Sequence, residues 1–177
     1  MNPMNPVLMA ALLGACILDW KYRKIPNYLT VSLILCGIVF QSVSIGTEGL
    51  VQSLWGSLVG VLLLYIPFSV RGVGGGDVKL LAAIGAFTGP LLVLHVFLAS
   101  AVFGGLFSLV EAARHGAVRK TFHGIVARVQ HLIFLQKLAV EDGQHLSAKA
   151  IYIPYAISLT LGYIWVSMFG GVIPWNI

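Results

Sequence analysis

The chain has 177 residues, of which 58% are hydrophobic and only 10% charged, with a mean hydropathy of +0.92. A soluble domain carries roughly a quarter charged residues, so that class is excluded, and the recurring apolar runs indicate a polytopic helical membrane protein. The net charge of +5 does not point to nucleic acid, because the basic residues lie between apolar runs, where they mark a cytoplasmic side.

Six helical segments are predicted. The first runs from about Pro6 to Trp20. Within it, Leu13-Gly14-Ala15-Cys16 resembles a lipobox, but Met1 to Pro6 has no Lys or Arg to make a signal-peptide n-region, so the segment is read as a retained helix. The second runs from about Asn27 to Ile45 and the third from about Leu50 to Val70. A short fourth, about Val78 to Thr88, ends at Gly89-Pro90 because proline cannot continue the hydrogen-bond ladder. The fifth spans Pro90 to about Ala113 and the last about Ile151 to Phe169. Cys16 and Cys36 lie in apolar runs without a CxxC partner; they read as small hydrophobes, with neither a disulfide nor a metal site expected.

Between the last two spans, Val118, Phe122, Ile125, Val129, Leu132 and Ile133 recur at helical spacing among Arg119, Lys120, His123 and Arg128. That pattern predicts a basic amphipathic helix on the inner leaflet. His123 and His131 read as part of its solvated face, and His95 as either a proton relay or a hydrogen-bonded histidine within the bundle.

The fourth segment is only about 16 Å long as drawn, roughly half the hydrocarbon thickness. Charge decides whether it crosses. With six crossings, the loops 21–26, 71–77 and 114–150 share one side, and with Lys79 they hold all 11 Lys and Arg. With five crossings the asymmetry collapses. The positive-inside rule therefore predicts one membrane domain over residues 1–177, six transmembrane helices and both termini outside.

That topology brings two carboxylates to one depth. Asp19 ends the first helix just before Lys21-Tyr22-Arg23-Lys24, and Asp77 begins the fourth from the same side. Two close carboxylates cannot both ionise cheaply, so one holds a proton while its partner stays charged. An aspartic protease uses that arrangement: one carboxylate draws a proton from water and the other donates a hydrogen bond to the scissile carbonyl. Taken singly, Asp19 also reads as an interfacial residue paired with Lys21 or Arg23, and Asp77 as a helix N-cap.

An N-cap does not explain Gly74-Gly75-Gly76 beside Asp77. Three glycines permit positive φ and close approach of another main chain, so this segment is expected to bind an extended substrate backbone in the manner of β-augmentation. A simple hinge is the other use. Neither G-x-x-x-x-G-K-[ST] nor G-x-G-x-x-G is present, and the Asp77 carboxylate would repel phosphate.

These residues resemble the type IV prepilin peptidase family, the GxGD membrane aspartic proteases. Gly74-Gly75-Gly76-Asp77 matches GxGD, and Asp19 followed by Arg23-x-Ile25-Pro26-Asn27 matches D-x-x-x-R-x-I-P-N. Ile153-Pro154-Tyr155-Ala156 is similar to the family's proline–aromatic segment. The resemblance implies Asp19 and Asp77 as the catalytic pair and Gly74, Gly75 and Gly76 as a substrate-binding edge. It also implies a prepilin-like precursor as partner, beside the lipid bilayer, and no cofactor. Longer bacterial members add a cytoplasmic domain with paired CxxC motifs and methylate the new N-terminus. This sequence has no CxxC and is similar to the short Flp-type or archaeal preflagellin peptidases, so cleavage after a glycine, in the cytoplasmic membrane and without methylation, is expected. Two other functions use the same features: a proton-relay transporter built on Asp19 and Asp77, and a non-catalytic pilus-assembly scaffold.

Overall fold

The computed structural model describes residues 6–22, 25–69, 73–114 and 155–169. These form six helices and, among the described residues, no strand: α1 (Pro6–Tyr22), α2 (Asn27–Ile45), α3 (Thr47–Ser69), α4 (Gly75–Thr88), α5 (Pro90–Arg114) and α6 (Tyr155–Phe169). Three of them, α2, α3 and α5, are long and apolar enough to cross a membrane. The expected amphipathic helix lies outside the described residues, as do Arg23 and Ile153-Pro154. Residues 6–104 and 155–169 belong to one unit; Gly105–Arg114 is the described part of a second and is helical.

α4 is the axis of the first unit. It packs against α2, α3 and α6, and Val78 and every residue from Leu80 to Phe87 are buried. A helix that is apolar on all sides belongs inside a protein. Its 14 residues span about 21 Å, and a helix sheathed by its neighbours need not match the lipid thickness.

The α3–α4 contact is made of backbone. α3 turns the stripe Gly49, Ser53, Gly56, Gly60 and Leu64 inward. A Cβ placed on Gly56 would overlap the Gly85 carbonyl oxygen, and one on Gly85 would overlap that of Gly56. At Gly60 a Cβ would lie 2.7 Å from the Leu81 carbonyl oxygen. Lipid tails are as apolar as leucine, so helices associate in a bilayer through close packing of this small-xxx-small kind and not through the hydrophobic effect.

The far end of α4 is closed by polar groups. Gln41 of α2, fully buried, donates from Nε2 to the Phe87 carbonyl at 2.9 Å, satisfying one of the carbonyls a helix C-terminus leaves open. Gly89 turns the chain with φ 82°, and Pro90 opens α5 where its missing N–H leaves no bond unmade. α6 is held on α5 by Gly162, where a Cβ would lie 2.8 Å from both Ser100 N and the Val96 carbonyl. α6 meets α1 through a core that includes Leu8, Leu12, Ala15, Ala156 and Leu159. Many large apolar side chains, among them Ile17, Val43 and Val102, remain exposed, as suits a bundle solvated by lipid.

Candidate active site

Asp19 sits in the last turn of α1 and Asp77 in the first turn of α4. Both are buried, with 3% and 8% of their surface exposed, and they lie within electrostatic reach of one another. Burying a charged group is costly unless it is paired or neutralised, and buried carboxylates that interact are candidates for function. The two carboxylates that the sequence motifs single out thus come together in space, as a candidate site.

The first turn of α4 differs from the sequence expectation. The helix starts three residues earlier than the expected Val78, so Gly75 and Gly76 are helical. Gly74 is the N-cap with φ −76° and ψ 151°, and neither it nor Gly75 or Gly76 has positive φ. Asp77 is not the cap. As the third helical residue it accepts the Gly74 N–H on Oδ2 at 3.2 Å; glycine has no side chain to return the bond, so half of a capping box forms. This bond fixes the Asp77 carboxylate, and its Oδ1 is buried with no hydrogen-bond partner among the described residues. A buried carboxylate oxygen without a donor is expensive, and it suits a water or substrate group.

The three glycines do different things. A Cβ on Gly76 would lie 3.0 Å from Ile25 Cβ, one on Gly74 would lie 3.2 Å from Asp77 Oδ2, and one on Gly75 would lie 3.4 Å from Phe68. Gly76 thus admits Ile25 of the first aspartate motif against the first turn of α4.

Other polar groups lie within electrostatic reach of the carboxylates. The Cys16 thiol, one turn before Asp19, bonds to Thr160 Oγ1 at 3.0 Å and lies within electrostatic reach of both carboxylates. The Tyr155 ring rests on Gly104, its hydroxyl bonds to Ser100, and it also feels the charge of Asp77. His95 lies elsewhere on α5, its Nδ1 paired with the Leu91 carbonyl at 2.6 Å. No cluster suited to a metal ion occurs among the described residues.

A family model, that of the type IV leader peptidase family, matches residues 6–109. That is more than half of the chain and contains both aspartates. The chain belongs to the type IV leader peptidase family. It is 30% identical over 121 residues to the prepilin leader peptidase/N-methyltransferase of Stutzerimonas stutzeri, covering 62% of this chain and 42% of that protein. It is 32% identical over 111 residues to leader peptidase HopD of Escherichia coli, covering 55% of this chain and 71% of that one. The preflagellin peptidase of Methanocaldococcus jannaschii is 37% identical over 79 residues, or 42% of this chain and 33% of its own length. The aligned part is thus less than half of several of the leader peptidase/N-methyltransferases it resembles. No solved structure matches.

Three features of this leader-peptidase-family chain escaped the sequence reading. Cys16 appeared only as a small hydrophobe, although it lies one helical turn from Asp19 on the same face. The Gly56-x-x-x-Gly60 spacing was present and marks the helix contact that seats α4. The hydrogen bond from Lys79 to Asn27 joins two motifs that the sequence presents separately.

Proposed function

We propose that this chain is an aspartic endopeptidase that removes the leader from Flp-type prepilin-like precursors at the cytoplasmic face of the cytoplasmic membrane. Membership of the family supports the substrate class. The observation that carries the mechanism is the convergence of Asp19 and Asp77 as buried carboxylates within electrostatic reach.

A pair of this kind shares one proton. A water held between the carboxylates loses a proton to the ionised partner while its oxygen bonds to the scissile carbonyl carbon. The protonated partner hydrogen-bonds to, and then protonates, the carbonyl oxygen. Collapse of the resulting gem-diol breaks the C–N bond, the amine leaves with a proton from the dyad, and the leader keeps the new carboxyl group. Asp77 Oδ2 stays with the Gly74 N–H, so Oδ1 is the oxygen that faces this chemistry. Which carboxylate starts with the proton is a property of the pair.

The reading includes six crossings, both termini outside and cleavage after a glycine, supported by the one-sided basic residues and the motif resemblance. Cysteine-accessibility labelling in oriented membrane vesicles is expected to find residues 114–150 on the cytoplasmic side; outward labelling there would remove the six-crossing topology.

Methylation is not expected of this chain, because its 177 residues hold no CxxC pair and no nucleotide-binding glycine motif. Mass spectrometry of a precursor processed by the purified chain should show an unmodified amine at the new terminus, even with a methyl donor present. An added methyl group would contradict this part of the reading.

The glycines of the site provide a graded test. Gly75→Ala is expected to change activity and stability little, by about 1 kcal/mol or less. Gly74→Ala crowds the Asp77 carboxylate and should reduce cleavage more than stability. Gly76→Val drives branched bulk into Ile25 and should be nearly inactive in a chain that still folds. Cleavage rate beside thermal unfolding in detergent, for each variant, separates these cases. Equal modest losses at all three positions would reduce the segment to a hinge.

A further inference from the structure

The helices that carry the two carboxylates are not each other's main neighbours. α1 packs chiefly on α6, whereas α4 packs on α2, α3 and α6. Something else must set the end of α1 against the start of α4. Two contacts do this from the α1–α2 connection. Ile25 lies against Gly76, and Lys79 Nζ donates to Asn27 Oδ1 at 2.8 Å. Asn27 is the first residue of α2, and Asp19 lies in the last turn of α1, so the attachment lies eight residues along the chain from the first carboxylate. Lys79 follows Asp77 by two residues, which on a helix directs the two side chains to different faces. The carboxylate is buried, while the ammonium reaches an exposed amide outside the dyad.

We propose that Asn27 and Lys79 are positioning residues: their hydrogen bond is a strut that fixes the start of α2 on the N-terminal end of α4 and so sets the Asp19–Asp77 geometry. The inference rests on reading those aspartates as the catalytic pair. A displacement of about 1 Å in a reacting group lowers rates by up to roughly 100-fold, and a strut across the short connection that follows Asp19 governs displacements of that size. Lysine suits the role because its long stem spans the gap between helices while its charged donor stays at the polar margin.

The test uses the full chain, purified in detergent, with a prepilin-like precursor as substrate. Wild type and Asp19→Asn are the controls, compared with Asn27→Ala, Lys79→Ala, the double variant, Asn27→Asp and Lys79→Arg. Each alanine variant is expected to lose about tenfold to 100-fold in kcat, with KM within about twofold, because a misplaced dyad weakens chemistry and not binding. The double variant should be no worse than the more damaged single, since both remove one bond. Asn27→Asp keeps the acceptor and Lys79→Arg keeps a donor, and both should retain most of the activity. Thermal unfolding of every variant is recorded. If the alanine variants melt early, retention in Asn27→Asp at a wild-type melting temperature still supports the strut. Multiplying losses in the double variant would overturn it, as would wild-type rates in both alanine variants. A raised KM with unchanged kcat at Lys79 would overturn it too, by making that residue a substrate anchor. Cleavage by Asp19→Asn would instead defeat the catalytic reading beneath it, a result the strut variants cannot imitate.

Discussion

Asp19→Asn and Asp77→Asn are each expected to reduce leader cleavage by about a thousandfold or more, with the protein still folded in the membrane. General acid–base groups contribute on the order of 100-fold to 10,000-fold, and in the proposed mechanism each carboxylate serves both halves of the proton traffic. An amide cannot take a proton from water, nor can it pass one back to the leaving amine. Because the two act as one unit, the double variant should be scarcely worse than either single variant. Shape is preserved: Asn at position 77 can still accept the Gly74 N–H that Asp77 Oδ2 accepts at 3.2 Å. Two buried carboxylates repel unless they share a proton, so neither substitution should lower the unfolding temperature. Single-turnover cleavage at matched protein levels is the measurement. Substantial processing by either variant would remove that residue from the mechanism.

Gly56→Val is expected to have the largest effect on stability. Its Cβ would overlap the Gly85 carbonyl oxygen across the α3–α4 contact. Overpacking among side chains costs about 1–3 kcal/mol, because rotamers can give way. Here the obstacle is main chain on a helix buried along nearly its whole length, so relief requires α3 and α4 to separate, and α4 carries Asp77. The expected outcome is little folded protein in detergent and loss of activity in proportion. Gly14→Val is the control, since a Cβ there meets nothing within 4 Å. Accumulation and thermal unfolding of the two variants measure the difference; similar melting curves would mean that the α3–α4 contact does not organise the bundle.

These two predictions rest on different kinds of legibility. Asp19 and Asp77 can be paired from sequence because the charge distribution predicts both on one side, and the structure brings them together as buried, interacting carboxylates. α2 has the bounds that the sequence predicts, Asn27 to Ile45, and the chain turns at Gly46, whose φ is 76°. α4 begins before the predicted Val78 because the sequence signal underestimates Gly75 and Gly76, glycine being a poor helix former. Gly75 and Gly76 are helical nonetheless, with Asp77 at the third position accepting the N–H of the cap. Tertiary packing overrode propensity, and Ile25 explains why a side chain is not wanted at Gly76. The burial of α4 was only half visible: an apolar stretch of that length reads equally as a marginal span or as a core helix. The Lys79–Asn27 bond was not legible, since partners on different helices can be paired only once packing sets their register.

The most direct measurement of the central claim is the intact mass of a prepilin-like precursor after incubation with the purified wild-type chain and, in parallel, with Asp77→Asn. The expected result is a single cut by the wild type after a glycine, giving a leader and a mature chain whose masses sum to the precursor plus one water. The Asp77→Asn sample should leave the precursor whole. A folded wild-type chain that leaves the precursor intact, or an Asp77→Asn chain that cuts it equally well, would contradict the account.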